Sequence, residues 1–351
     1  MIQQKKIVDF LRNNNLDGVF ISKNENCRYI TNFTGSDSFL FLTKEQIYLI
    51  TDSRYTEQAK QELTSVEIIE HKGLIANTIK KLSEKHKIDK LGVEAELTYK
   101  MYLSLHKEMS SVQIIVCYPD VFREIKTQDE LEKLAKACSI SDEGFRCIVP
   151  YIKEGKTENE LRCMLECAML ELGSEGKSFD TIVASGVRSA MPHGIATDKV
   201  INKGELVTFD FGAIYQGYHS DITRTVAIGD ISEQLRYIYD SVLGCNEYIE
   251  SILKAGQKAS DIDAKARSYL KERDLDKYFK HSLGHSVGLE IHEKPALSPK
   301  DHTLLKCGMT QTVEPGVYIP GIGGVRIEDT VVIEDNGISI LTTYPKTFLQ
   351  M

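Results

Sequence analysis

The segment ELVTFDFGAIYQGYHSDITRTVAIG holds two strand-forming runs around a short polar turn, a pattern that closes as an antiparallel hairpin. A turn centred between Tyr215 and Gln216 sets Asp210 opposite Asp221. Period-2 alternation puts Thr208, Asp210, Asp221 and Thr223 on one face, and Val207, Phe209, Phe211 and Ile222 on the other. A second hairpin is expected in MTQTVEPGVYIPGIGGVRIEDTVVI, where a loop centred on Gly321 sets Glu314 opposite Glu328. Arg326 shares the face of Glu328, whereas Asp329 has the opposite parity and points away. Facing carboxylates repel by up to about 1 kcal/mol when exposed and by more in a low-dielectric cleft, unless a cation or proton intervenes. The chain must therefore fold around something positive.

Between the hairpins lies HSLGHSVGLEIHE, with His281, His285 and His292. Four carboxylates and an imidazole form an oxygen-rich donor set that suits two divalent cations such as manganese, cobalt or zinc. A centre of that kind activates water at neutral pH and stabilises a tetrahedral intermediate. For any single acid or histidine a satisfied structural role is the commoner case; two independent facing pairs tip the balance toward metal. His281 is read as structural, because HSLGH has the two-histidine spacing of a zincin helix without the adjacent glutamate that would serve as base. Residues 284–288 also spell G-x-S-x-G. A nucleophile elbow needs a preceding buried strand, and DKYFKHSLGH is polar, so serine-hydrolase chemistry is set aside.

A formal charge of -8, from 43 basic and 51 acidic residues, has the wrong sign for broad electrostatic binding of a nucleic acid. The longest apolar runs fall far short of the roughly 20 residues that cross a bilayer, and MIQQKKIVDF lacks a signal-peptide core. No membrane association and a cytoplasmic location are expected. The eight cysteines contain no C-x-x-C, which fits reduced, mostly buried thiols rather than a disulfide framework.

The 351 residues suffice for two domains. Residues 1–122 mix amphipathic helices, such as KKIVDFLRNN and IANTIKKLSEKH, with short apolar strands, such as DGVFIS, SFLFLT and IYLITD, and read as α/β. Residues 123–351 open with a long helix and a second helix capped by Thr157 and Glu160, then alternate helices and hairpins. Each half of this region offers helices followed by a hairpin with two carboxylates, which points to an internal structural duplication.

The motifs VASGVRSAMPHG, FDFGAIYQGYHSDITRT, GHSVGLEIHE, TVEPGVYI and GGVRIEDT occur in the order found in pita-bread-fold metallopeptidases. The chain most resembles the Xaa-Pro peptidases of that fold, aminopeptidase P and prolidase. NCRYITNFTGSDSFLFLT and ITDSRYTEQA resemble their creatinase-type N-terminal domain, and IKTQDELEKLAKA the start of their catalytic domain. The resemblance implies an α/β domain at 1–122 and an α+β pita-bread (creatinase/aminopeptidase) catalytic domain at 123–351. It implies Asp210 as a terminal ligand of one metal, Asp221 and Glu328 as bridges, and His285 with Glu314 on the second metal. Glu314 would also accept the proton of the attacking water, His193 and His292 would steady the substrate and the tetrahedral intermediate, and Arg326 would orient the substrate.

The implied reaction is hydrolysis of the Xaa-Pro bond at the N-terminus of short peptides, dependent on two divalent metal ions, manganese first with cobalt or zinc possible. Aminopeptidase P-like action is preferred to prolidase (dipeptidase) action; methionine aminopeptidase-like activity and a non-catalytic pita-bread binding module are further alternatives. A homodimer is expected. Ser286, where relatives usually carry glycine, and Gln311, where they are commonly apolar, depart from the pattern without removing a ligand.

Overall fold

Alternating apolar side chains on short strands organise the N-terminal half of the computed structural model, which describes residues 4–351. The chain divides into two units, Met1–Arg123 and Glu124–Met351. The first contains α1 (Gln4–Asn13), β1 (Gly18–Ile21), α2 (Asn24–Thr31), β2 (Ser38–Thr43), β3 (Ile47–Thr51), α3 (Thr56–Glu62), β4 (Glu67–Glu70), α4 (Ile75–His86), β5 (Lys90–Glu94), α5 (Tyr99–Glu108) and β6 (Gln113–Cys117). The strands form one mixed sheet in the order β4-β3-β2-β1-β5-β6. Val19, Ile21, Leu40, Leu42 and Leu49 pack with α1 and α2 on one face. Phe20, Phe41, Tyr48 and Ile50 pack with α4 and α5 on the other, so period-2 alternation has built two cores from one sheet.

The second unit contains α6 (Gln128–Ile148), α7 (Glu158–Glu171), β7 (Ile182–Ser185), β8 (Leu206–Phe211), β9 (Ile214–Tyr215), β10 (Tyr218–His219), β11 (Ile222–Ala227), α8 (Glu233–Ile252), α9 (Ala259–Lys271), β12 (Gly284–Ser286), β13 (Glu293–Leu297), β14 (Thr310–Val313), β15 (Gly316–Ile319), β16 (Gly323–Arg326), β17 (Asp329–Glu334) and β18 (Gly337–Ile340). Capping boxes start α6 at Thr127/Glu130 and α7 at Thr157/Glu160, each joining the cap hydroxyl and the glutamate to opposite backbone N–H groups. The pair α6/α7 buries Phe145, Leu161 and Leu165 against Phe209, Phe211 and Ile222 of the β11-β8-β7 sheet. The pair α8/α9 buries Val242, Ile249 and Ile262 against Val313, Val317 and Val331. Two helix-pair-on-sheet halves thus repeat along the unit.

The register of the first hairpin differs from the expected one. Asp210 pairs with Thr223, and Ile222 with Phe211. The turn is centred one residue later, on Gln216 and Gly217, both at positive φ (47° and 77°), between the Tyr215–Tyr218 pair. A one-residue displacement of the centre moves each partner by two places and preserves parity, so Asp210 and Asp221 still share a face but do not face one another directly. In the second hairpin Gly316 pairs with Arg326 and Val313 with Asp329, the register that a loop centred on Gly321 dictates. The two hairpins touch at a bridge between Thr223 and Glu328. Among the described residues no helix is long and apolar enough to cross a membrane.

Candidate metal centre

Asp221 directly precedes β11, and its carbonyl accepts from Thr330 Oγ1 at 2.8 Å, which ties the first hairpin to β17. His285 lies in the middle of β12. Its backbone N–H donates to Thr312 Oγ1 at 3.0 Å, and its ring Nδ1 lies 3.1 Å from the Ser286 carbonyl. A carbonyl only accepts, so Nδ1 carries the proton and Nε2 keeps its lone pair. That nitrogen lies 3.5 Å from Asp221 Oδ2 and 3.5 Å from Glu314 Oε1. One ligand atom each from Asp221, His285 and Glu328 falls within 4.8 Å of the others.

Threonines aim the two glutamates. Thr312 Oγ1 donates to Glu314 Oε1 at 3.2 Å, and Thr223 Oγ1 donates to Glu328 Oε2 at 2.7 Å. Glu328 Oε1 and Asp210 Oδ1 are buried without a hydrogen-bond partner among the described residues. Buried oxygens in that state cost about 1–3 kcal/mol each, and more when charged, unless a ligand meets them. The charges tell the same story. Burial, then the neighbouring Glu328, Asp210 and Glu314 carboxylates, hold the Asp221 carboxyl well above its usual range. Burial, Glu314 and Asp210 do the same to Glu328, and burial foremost pushes Glu314 up to about 8. Burial, then His292, pulls His285 down to about 3, so its imidazole is a neutral ligand. Unpartnered oxygens, repelling acids and a neutral imidazole are what divalent cations require of a site. The donor set fits them.

A cavity of about 750 Å³ opens onto these residues and is also lined by His193, His281, His292, Arg326 and the apolar Phe179, Ile195 and Ile291. The His292 ring meets that of His285 edge-on at 4.3 Å. Arg326 pairs with Asp210, donates from Nε to Thr223 Oγ1 at 3.1 Å, and donates from Nη1 to Tyr318 Oη at 2.7 Å and to the Pro192 carbonyl at 3.1 Å. Asp329 points the other way, to Arg224 at 2.7 Å and Lys346 at 2.8 Å. His281, read from the sequence as structural, lies in the cavity wall with Nδ1 3.9 Å from Glu314 Oε2. Its Nδ1–H donates to the Ser282 carbonyl at 2.8 Å, so Nε2 accepts from Tyr318 Oη at 2.8 Å. Tyr318, Thr312 and the apolar wall went unremarked in the sequence. Tyr318 and Thr312 are legible only through parity, an even number of residues from Glu314 on the same hairpin.

Two helix-pair-on-sheet halves, meeting around a buried cluster of carboxylates and imidazole that demands divalent cations, define a metallohydrolase of the pita-bread fold. The chain belongs to metallopeptidase family M24, whose model matches residues 132–335; residues 3–125 match the creatinase/prolidase N-terminal domain. It is 41% identical over 356 residues to the Xaa-Pro dipeptidase of Pyrococcus furiosus, across 98% of this chain and 99% of that protein. Among solved structures, an Xaa-Pro dipeptidase from Bacillus anthracis matches with a TM-score of 0.95 at 40% identity, over 99% of this chain and 100% of that one. An X-Pro aminopeptidase from Thermotoga maritima matches at 0.89 and 37%, over the full length of both.

Proposed function

We propose that this protein is an Xaa-Pro dipeptidase, a prolidase that cleaves the bond before proline in short peptides. The observation that carries the reading is the end-to-end match to Xaa-Pro dipeptidases, supported by the cluster of Asp221, His285 and Glu328 beside Asp210 and Glu314. It reverses the preference for aminopeptidase P-like action drawn from the motifs, since the Thermotoga maritima X-Pro aminopeptidase match is weaker than the Bacillus anthracis dipeptidase match in both identity and superposition.

Asp210, Asp221, His285, Glu314 and Glu328 would hold two divalent cations, with manganese favoured by the oxygen-rich donors and cobalt or zinc as alternatives. When bound, the cations supply Lewis acidity toward the scissile carbonyl and lower the pKa of water. Glu314, deprotonated when it holds a cation, would accept the water proton. His193 and His292 hydrogen-bond the developing oxyanion or the departing proline nitrogen. Arg326, fixed by Tyr318 and Thr223, orients the substrate. The N-terminal domain is taken as residues 1–122 and the catalytic domain as 123–351. A homodimer follows from the family resemblance. A cytoplasmic location is supported by eight free cysteines.

Rates on Xaa-Pro dipeptides and on Xaa-Pro-Xaa tripeptides, measured on protein loaded with manganese, cobalt or zinc, test the reading. Dipeptides are expected to be hydrolysed faster, and Met-Ala peptides left intact. Faster cleavage of tripeptides would restore aminopeptidase P-like action, and inertness toward every Xaa-Pro substrate would end the proposal.

A further inference from the structure

Among the buried carboxylates outside the metal centre, Glu158 occupies the first position of α7. Both of its oxygens are saturated. Oε1 accepts from Ser185 N at 2.8 Å and Ser185 Oγ at 2.9 Å. Oε2 accepts from Thr197 N at 3.0 Å, Thr197 Oγ1 at 2.8 Å and Arg188 Nε at 3.1 Å. Ser185 and Thr197 are the two ends of one loop, and Arg188 is inside it, donating from Nη2 to the Ile195 carbonyl at 2.7 Å. The helix backbone joins the same grip, with Glu158 N donating to Lys199 O and Asn159 N to Thr197 O.

That loop carries Pro192 and His193. The Pro192 carbonyl takes a hydrogen bond from Arg326, and both residues line the cavity over the carboxylates. Between Gly186 and Ala190 the loop is a single 3-10 turn, and an isolated bridge from Ile195 to Ile182 is its strand-like pairing. Backbone turn bonds at Met191, Gly194 and Ile195 and the Gly324 N–H to Ser189 Oγ bond shape its tip, while the side-chain bonds to Glu158 close its two ends onto α7. Every group facing Glu158 is an N–H or O–H donor, so only an acceptor-only carboxylate satisfies them all. Glutamine has the same outline but presents one oxygen and an NH2 that would meet donors head-on.

We infer that Glu158 is a positioning residue for the hydrolysis proposed above, on which the inference rests: it staples the 185–197 loop so that His193 and the Pro192 carbonyl face the metal ligands and Arg326. It touches no substrate and acts through the loop. A displacement of about 1 Å at a substrate-holding group can lower turnover by about a hundredfold.

The test uses manganese-loaded protein and an Xaa-Pro dipeptide, with Glu158→Gln, Thr197→Val and His193→Ala alone and combined. Glu158→Gln is expected to lower kcat at least about tenfold while bound manganese per chain stays at the wild-type level. In the His193→Ala background the same change is expected to lower kcat less than about threefold further, because the share carried by His193 is already gone and only the share through the Pro192 carbonyl and Arg326 remains. Full multiplicative losses in the double variant, or wild-type kcat in Glu158→Gln, would overturn the inference. If Glu158→Gln does not fold, Thr197→Val removes one hydroxyl donor and is read with the same signs. If the wild type cleaves no Xaa-Pro dipeptide, the proposed function has failed, and the His193 resonances of 15N-histidine-labelled protein decide the inference instead. Displaced resonances in the variant support it and unchanged ones overturn it.

Discussion

Thr223 Oγ1 donates to Glu328 Oε2 at 2.7 Å, and the Glu328 backbone N–H donates back to the Thr223 carbonyl at 3.1 Å. This double link fastens one hairpin to the other where their carboxylates converge, and the same hydroxyl accepts from Arg326 Nε. Outer groups that orient a ligand carboxylate are commonly worth about 10–100-fold in metal affinity. Thr223→Val keeps the shape and removes the hydroxyl, so manganese affinity measured by titration calorimetry is expected to fall by about that factor, with Thr223→Ser close to wild type. Equal affinities for the valine variant and the wild type would show that the link does not aim Glu328.

The acid cluster makes the metal-free protein pH-sensitive in a definite direction. Glu314 rises from 4.5 to about 8 on folding, and Asp221 and Glu328 rise well above their ordinary values. Above the unfolded values the folded state holds protons that the unfolded chain has lost, so stability falls as pH rises. His285, held to about 3, and His281, held to about 4, act oppositely below their ordinary 6.5, where the unfolded chain takes up protons that the folded state refuses. The opposing slopes offset one another at lower pH, leaving the acids unopposed between about 6.5 and 8. In chelator, the melting temperature is expected to drop across that window, and with saturating manganese the drop should disappear, because binding requires deprotonated ligands. A metal-free melting temperature that climbs from pH 6.5 to pH 8 would contradict the assignment.

Asp221 belongs to the triad with His285 and Glu328, so Asp221→Ala is expected to abolish metal-dependent peptide hydrolysis. It also removes one of the mutually repelling acids. In chelator at pH 8, the variant should therefore melt at or above the wild-type temperature. Retained wild-type hydrolysis would remove Asp221 from the centre, and a strongly lowered metal-free melting temperature would show that the cluster is not strained.

What could be read in the chain was parity; what could not was the position of one turn and any contact over long sequence separations. In the YQGY turn, Gln216 adopts positive φ, a conformation its side chain does not advertise, so the first hairpin's centre was placed one residue early while its faces came out correctly. Gly321, also at positive φ, marks its own loop, and the second register followed. Helix α2, only eight residues long, is held at its start by a distant group: Glu94 accepts from Ser22 N at 2.6 Å and Lys23 N at 2.8 Å. The hydrogen-bond partner of His281 is illegible for the same reason, since Tyr318 is on another strand.

Ser286 sits in a buried chain of hydrogen bonds whose direction is fixed. Thr310 Oγ1 donates to the Val287 carbonyl at 2.7 Å, so it accepts from Ser286 Oγ at 2.9 Å, which in turn accepts from Lys126 Nζ at 3.0 Å. Lys126 also pairs with Glu293 at 3.0 Å, with both side chains almost wholly enclosed. Removing one partner of a buried ion pair leaves an uncompensated charge and typically costs about 3–5 kcal/mol, whereas neutralising both costs far less. Lys126→Met is therefore expected to lower the unfolding free energy, measured in urea at fixed manganese, by about that amount, and adding Glu293→Gln should recover at least half of it. Ser286→Gly removes two hydrogen bonds, one of them from the charged Lys126, and is expected to cost about 2–3 kcal/mol. If Lys126→Met proved as stable as the wild type, the pair would be contributing nothing to the strand that holds His285.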